Sequence, residues 1–252
     1  MIAIWLAALL VLDAVLEGRT RGRIAERVAD SLHAGAAIDR GSLALVRGWI
    51  DLEGLTVRRD DLIGHLAIAV ASLHCELPPL GLALVDRDCR ELAARGTRLE
   101  VSSAALFKLK PPRRPPLRAQ RVVIDDARLE FSPSAFLPSL GRVAVDIEHA
   151  EAGATIFKTP LSWIFALRAL RATVDLPAGI ALQLAYDHGE LRVAGGFLGA
   201  TPIAVPVALP VLDAADDARA EIAKLAAFGK DIAEQLVARK AEDWLRSKLS
   251  LP

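Results

Sequence analysis

The chain has 252 residues, of which 53% are hydrophobic, and its 31 basic and 31 acidic side chains give a formal net charge of zero. This length provides apolar material for one large or two small cores, and the composition excludes a chain that is disordered throughout. The balanced charge creates no overall field that would attract nucleic acid, so we expect no nucleic-acid partner.

An apolar run, Ile2 to Leu12, predicts an N-terminal membrane anchor over residues 1–18. Sixteen residues of helix rise about 24 Å, less than the roughly 30 Å hydrocarbon core of a bilayer. Asp13 would lie near the far interface, where a carboxylate costs less than at the centre. Trp5 suits an interfacial depth and is a candidate for membrane contact. The alternatives are an amphipathic or buried core helix and a cleaved signal peptide, although no basic residue precedes the run.

Residues 19–36 predict a short amphipathic helix, because Ile24, Val28 and Leu32 recur on one of its faces. The apolar period then changes from about 3.6 residues to two. This change predicts a β-sheet domain over residues 37–210.

Three stretches of this domain resemble one another and indicate repeated strands. Each begins with a short apolar stretch, continues with a glycine or polar residue, and ends with two apolar residues separated by one other residue. The three stretches are Trp49–Val57, Arg90–Val101 and Arg121–Phe131. In the first stretch Gly54 shifts the phase of the alternation, which indicates a bulge. Because such units cannot bury their apolar faces singly, we expect them to be strands of one continuous sheet.

A proline-rich segment, Lys108–Pro116, interrupts the strand pattern. Its four prolines remove four backbone donors, so it predicts a loop in the polyproline II conformation. Basic side chains concentrate in and after the segment, and near anionic headgroups each contributes about 1 kcal/mol. The candidates for membrane or partner contact are Lys108, Lys110, Arg113, Arg114, Arg118 and Arg121. The simpler interpretation is a solvated loop that these side chains keep soluble.

Further strands are expected in the second half of the domain. The segment Pro160–Leu170 fits either a short helix that lies on the sheet or a buried strand. Ile180–Tyr186 alternates cleanly, and Asp187–Gly189 predicts a tight turn after it. Ile203–Leu209 predicts the last strand, at an edge of the sheet, because prolines recur there every four residues.

The apolar period returns to that of a helix over residues 211–252, which predicts a long C-terminal amphipathic helix that ends near Leu249. Asp213 or Asp216 can cap its start. Its apolar stripe either lies on the sheet and covers the apolar face, or docks on a partner or a membrane interface.

The sequence contains no motif typical of catalysis or metal binding, and we expect neither enzymatic activity nor a cofactor or metal ion. Gly195–Gly199 resembles a phosphate-binding loop, but prolines follow it where a helix N-terminus is required, so we interpret it as a connection between strands. Cys75 and Cys89 would form a disulfide if the body of the protein is exported. Their apolar strand contexts favour the interpretation that both are free, buried thiols.

The first half of the chain combines the apolar run, the short helix and three alternating segments: Gly35–Asp60, Leu62–Leu77 and Gly96–Val101. This order resembles the opening of the AsmA-like proteins over about residues 1–140. The resemblance implies a curved, taco-like sheet with an apolar inner groove and a kinship with bridge-like lipid-transfer proteins. It also implies an inner-membrane protein with a single N-terminal span and a periplasmic body. Because no positive charge precedes the anchor, a cytoplasmic location of the body remains an alternative.

We therefore predict a mainly β fold with helices at both ends, built on a curved antiparallel sheet. Its in-facing side chains would bury acyl chains at about 25 cal/mol per Å². The groove candidates are Ile50, Leu52, Leu66, Ile68, Val70, Leu182, Leu184, Val205 and Val207. The expected function is lipid binding in lipid transport or envelope maintenance, with membrane lipids as partners. The alternative is a non-enzymatic subunit that scaffolds a larger membrane protein complex.

Overall fold

A computed structural model gives the structure of most of the chain. It describes residues 21–22, 24–26, 28–29, 34–44, 48–61, 64–77, 88–102, 117–132, 141–159, 161–213 and 216–249. The expected membrane anchor over residues 1–18, including Trp5, lies outside the described residues, and so does the proline-rich segment Lys108–Pro116.

Eleven strands form one open sheet, which confirms the mainly β fold. The strands are β1 (Gly35–Ala44), β2 (Trp49–Asp61), β3 (Gly64–Glu76), β4 (Asp88–Ser102), β5 (Arg118–Ser132), β6 (Val143–Ala152), β7 (Thr155–Ile156), β8 (Leu167–Leu176), β9 (Ile180–Asp187), β10 (Glu190–Gly195) and β11 (Gly199–Pro206). They pair in the order β1-β2-β3-β4-β5-β6-β8-β9-β10-β11, and the short β7 pairs with the start of β5. Within the described residues β1 and β11 are therefore the two edges of the sheet.

The sheet is not fully antiparallel as predicted, because β4 and β5 are parallel. Their register pairs Cys89 with Ala119 at one end and Ser102 with Ser132 at the other. The end of β4 and the start of β5 consequently lie at opposite ends of the strands. Alternation in the sequence defines a strand and its faces, but it carries no information about the direction of the neighbouring strand.

Several expected elements of the second half are confirmed. The segment Pro160–Leu170 contains both alternatives, because a 3-10 helix, Ser162–Ala166, leads directly into β8. The turn at Asp187–Gly189 joins β9 to β10, with φ of 40° at His188. The last strand, β11, lies at an edge of the sheet as predicted, but it begins at Gly199 and ends at Pro206 instead of extending from Ile203 to Leu209.

Six neighbouring strands share one irregular row that crosses the sheet. Each ladder from β1 to β6 is interrupted along one line of neighbouring residues: Asp39, Gly54, Ala71, Gly96, Asp126 and Glu148. The φ angles of Gly54, Gly96 and Asp126 are 66°, 59° and 52°. The register is identical on both sides of the row. No extra residue is therefore inserted at Gly54, and the bulge expected there is absent. A bulge lies instead where the row ends, between β6 and β8, since Ile147 pairs with Ala172 and His149 with Arg171.

The irregular row changes which residues of a strand lie on the buried side. In β2 the buried residues Leu52 and Leu55 are three apart, and in β5 the same spacing separates Ile124 from Ala127. In a regular strand residues three apart lie on opposite faces. The row therefore keeps apolar side chains on one face along the whole strand, and it explains the glycine or polar step of the three similar stretches, which are β2, β4 and β5.

One face of the sheet, the apolar face, carries three clusters of buried side chains. The large cluster extends from β4 to β11, the β1–β3 cluster surrounds Leu55, and the Leu99 cluster contains Leu66 and Val101. Three partly buried residues each pack against two of these clusters: Ile68, Leu73 and Leu129. The apolar face is therefore continuous across the sheet.

The N-terminal helix of the prediction is not confirmed in full. The described residues between 21 and 29 are helical, and Ile24 and Val28 pack against the β1–β3 cluster, as the amphipathic pattern predicts. The predicted limit of residue 36 is wrong, because β1 already begins at Gly35.

The C-terminal helix α1 (Ala218–Leu249) confirms the predicted long helix. The predicted caps are wrong: the Asp217 carboxylate accepts a hydrogen bond from the backbone N–H of Ala220 at 2.8 Å and caps the helix. The Asp216 carboxylate instead accepts hydrogen bonds from the backbone N–H of Asp213 and from the Lys224 ammonium.

Helix α1 lies on the apolar face and crosses the strands. Ile222 packs against the Leu99 cluster, Phe228 and Leu236 belong to the large cluster, and the Lys240 ammonium donates to the carbonyl of Leu198 at 2.7 Å. The helix rises about 27 Å from Ile222 to Lys240. The six strand spacings from β4 to β11 measure about 29 Å, so the helix spans this part of the sheet.

Cys75 and Cys89 form a disulfide between β3 and β4, with their Cα atoms 5.5 Å apart. The interpretation as free thiols is therefore wrong. Their apolar contexts were correctly recognised, but only the pairing of β3 with β4 brings the two sulfur atoms together.

Removal of this disulfide tests its contribution to stability. The bond closes a loop of 14 residues, and we expect the double variant Cys75→Ala with Cys89→Ala to lose about 3 kcal/mol of unfolding free energy. Urea unfolding under oxidising conditions measures the loss. An unchanged midpoint, or a loss of the same size when the wild type is compared in reductant, would contradict the assignment of the bond.

The irregular row predicts an unusual response to alanine. At Gly96 a Cβ atom would lie 2.8 Å from the Cβ of Ala71, and at Gly54 it would overlap the Asp39 carboxylate. Because both glycines also have positive φ, Gly54→Ala and Gly96→Ala should each lower the unfolding free energy by about 2 kcal/mol or more. The matched control is Gly229→Ala in α1, where nothing lies near the new Cβ, and it should stabilise by about 0.5–1 kcal/mol. Equal effects at the three sites would argue against the row.

Candidate functional site

The groove candidates all lie on the apolar face. Leu182, Leu184, Val205 and Val207 belong to the large cluster or pack against it. The members of the β1–β3 cluster and its surroundings are Ile50, Leu52, Ile68 and Val70, and Leu66 belongs to the Leu99 cluster. The phase shift at the irregular row is the reason that candidates from both halves of the long strands share one face.

The candidates differ in how far the protein's own side chains cover them. Buried candidates are Leu52, Leu66, Val70, Val205 and Val207. Ile50, Ile68, Leu182 and Leu184 are partly exposed. Among the described residues, α1 and the 3-10 helix Ser162–Ala166, whose Trp163 is buried, pack against the large cluster and cover part of it. Solvent therefore reaches the apolar face at some candidates and is excluded from others.

A buried carboxyl group lies beneath the first turn of α1. Glu221 is completely buried, and its Oε1 atom accepts hydrogen bonds from Thr159 Oγ1 at 2.6 Å and from Ser162 Oγ at 2.9 Å. These three side chains form what we term the Glu221 cluster. Burial raises the pKa of Glu221 above its ordinary value, and the two hydroxyl donors only partly oppose this shift. The site consequently favours the neutral carboxyl.

Glu221 was not among the predicted site residues, although its position on the apolar stripe of α1 is visible in the sequence. Glu221 lies four residues before Leu225, and Phe228 and Ile232 continue the same stripe at helical spacing. An acidic residue on an apolar stripe marks a carboxyl that the sheet buries. The hydroxyl donors come from the loop before β8, and no pattern within the helix announces them.

Two lysines fasten the chain that leads into α1. The Lys158 ammonium donates to the carbonyl oxygens of Asp213 and Asp216, each at 2.8 Å. Lys224 donates to the Asp216 carboxylate at 2.6 Å and to the carbonyl of Val211 at 2.8 Å. The bond between Lys224 and Asp216 lowers the pKa of Asp216 and raises the pKa of Lys224. The Glu221 cluster is therefore bordered by an ion pair that stays charged.

Ion pairs between neighbouring strands occupy the opposite side of the sheet, the charged face. Arg121 contacts Glu91 at 3.0 Å and Glu151 at 3.1 Å, and its hydrogen bond lowers the pKa of Glu151. Arg121 was a candidate for membrane contact, and the structure engages it with these two carboxylates. Arg118 is exposed at the start of β5. The remaining candidates lie outside the described residues: Trp5, Lys108, Lys110, Arg113 and Arg114.

Histidine and aspartate side chains pair across strands without forming a recognisable metal centre. The imidazole of His149 lies 2.7 Å from the Asp125 carboxylate, and His74 makes the same kind of pair with Asp51 at 2.5 Å. Within the described ranges no three histidine, cysteine or acidic side chains gather closely enough to bind a metal ion.

No protein-family model matches the chain, and no curated protein matches it. In the described part of the chain no helix combines the length and the apolar character needed to cross a bilayer. The residues that bear on function are therefore those of the sheet, of α1 and of the loop before β8.

Proposed function

We propose that this protein is a membrane-anchored, AsmA-like envelope protein that binds or shields lipid acyl chains on the apolar face of a curved, taco-like sheet. The observation that carries the proposal is the continuity of this face across an open sheet, from β1 to β11. A large apolar surface in a sheet without closure is typical of a site for extended apolar ligands. The expected role is lipid transport or envelope maintenance.

The partly exposed candidates Ile50, Ile68, Leu182 and Leu184 are the first contacts that we assign to an acyl chain. Burial of about 200 Å² of apolar surface would contribute about 5 kcal/mol before the costs of association. These residues present no charged group to the ligand, so recognition would depend on the acyl chain rather than on a particular headgroup.

The proposed location is the inner membrane, with a single N-terminal span and the sheet in the periplasm. The disulfide between Cys75 and Cys89 supports an oxidising compartment, because the cytosol keeps most thiols reduced. The basic side chains from Lys108 to Arg118 and the interfacial Trp5 would then contact anionic headgroups.

A second candidate function is that of a subunit that scaffolds a membrane protein complex. It is favoured by exposed apolar side chains near the C-terminal half of α1: Phe197, Val237, Trp244 and Leu245 are 60%, 60%, 59% and 49% exposed. Large apolar side chains in such positions often contact a partner protein.

Native mass spectrometry of the detergent-purified full chain tests lipid binding, with Leu184→Gln as the variant. Leu184 lies on the apolar face, and its neighbour Ala185 is exposed on the other face, so Ala185→Gln is the matched control. We expect lipid adducts on the wild type and the control, and about tenfold less lipid on Leu184→Gln, since the substitution removes about 1.5 kcal/mol of apolar contact.

Absence of lipid from the wild type, or equal loss in both variants, would contradict the proposal. Stoichiometric protein partners without lipid, after mild solubilisation, would favour the scaffold.

A further inference from the structure

Few side chains hold α1 to the sheet. Among its described side chains Glu221 and Leu236 are buried, while Ile222, Phe228 and Ile232 are partly exposed. Towards its C-terminal end, the Lys240 ammonium donates a hydrogen bond to the carbonyl of Leu198. Among the described side chains of α1, the helix thus contributes one buried apolar side chain, Leu236, to the large cluster.

We propose that α1 is a detachable cover of the apolar face, and that the Glu221 cluster is the contact that fastens its first turn. The inference rests on the proposed function, because acyl chains are the ligands that would replace α1 on the large cluster. Detachment would expose apolar side chains that are now buried, including Val205 and Val207.

The choice of a carboxyl group at residue 221 supports a contact that can open. A leucine in this stripe position would add apolar burial and hold the helix more tightly. A buried carboxyl instead loses its hydration, and its hydrogen bonds offset that loss only in part. The Oε2 atom of Glu221 is buried and has no hydrogen-bond partner in the described part of the chain. The cluster therefore fixes the position of the first turn with little net stabilisation.

The groups around the carboxyl define how the contact depends on pH. The charge of Lys158 favours the ionised form and that of Asp216 the neutral form, while Thr159 and Ser162 are uncharged donors. On the sheet side Ile222 meets the apolar Leu99 cluster. The other buried charged side chain of the described residues is Arg59 in β2.

The sign of the pH dependence follows from the raised pKa of the buried Glu221. A carboxyl whose pKa is higher in the docked state than in the detached state is neutral in both states at low pH, where docking is strongest. Docking weakens as the pH rises from the ordinary carboxyl value through the raised one. Detachment of α1 is therefore favoured at neutral pH relative to acidic pH.

Hydrogen exchange of α1 in the full chain, without lipid, tests the cover directly. After correction for intrinsic rates, the protection of the α1 amides should fall as the pH rises. Glu221→Gln should remove this dependence, and Glu221→Leu should raise the protection at neutral pH about tenfold. Thr159→Val deletes the hydrogen bond to Glu221 and the one that Thr159 Oγ1 accepts from the backbone N–H of Leu161, and it should lower the protection about fivefold or more. The control is Glu234→Gln, an exposed residue of the same helix whose partner is Lys230 at 3.6 Å; it should change the protection less than about twofold and leave the pH dependence unaltered.

Binding of a pyrene-labelled fatty acid separates this inference from the proposed function. We expect slower binding to Glu221→Leu and faster binding to Thr159→Val. If the protection of α1 responds as described but no variant binds the fatty acid, the cover stands and the lipid function fails. If every variant binds equally and α1 exchanges alike in all of them, the cover is wrong while lipid binding stands.

Discussion

The irregular row across β1 to β6 is the constraint on which the rest of the structure depends. Strands of 13 to 15 residues, such as β2 and β5, would present half of their apolar side chains to water if their alternation kept one phase beyond Leu52 or Ile124. A change of phase in a single strand would break its pairing with both neighbours. The six strands change phase in the same row, so the register survives and one face stays apolar from end to end.

Alternation and its interruptions predict much of the fold. They indicate the strands, the phase shift at Gly54, the similarity of three strands and the extent of the C-terminal helix, because each is a local property of the sequence. The parallel pairing of β4 with β5, the disulfide and the cap at Asp217 are not local. Each depends on which segment becomes a neighbour after folding: Lys224 pairs with Asp213 and Asp216, and Asp217 accepts from the first turn of the helix.

The candidate site shows the same division. The shared face of Leu52, Leu184 and Val205 follows from parity along each strand, once the phase shift is taken into account. Their degree of cover does not, because it depends on where α1 crosses the sheet. Glu221 combines a local and a non-local property. Its place on the apolar stripe is visible in the sequence, but the hydroxyl donors that bind its carboxyl group come from a loop about sixty residues earlier in the chain.

One face of the sheet carries solvated ion pairs and the other carries apolar side chains. This contrast explains why α1 covers only the apolar face. On the charged face, pairs such as Arg128 with Asp146 are exposed, and water screens them, so no further element is needed to satisfy them. On the apolar face, a helix that excludes water must carry apolar side chains wherever it meets the sheet. Glu221 is the acidic side chain that α1 buries against this face. Its two hydroxyl partners lie at the first turn, so the free-energy cost of the lost hydration is confined to that turn. Attachment of the helix consequently gains little where a polar group enters the apolar contact, and more near Leu236, where the buried side chain is apolar and Lys240 adds a hydrogen bond one turn later.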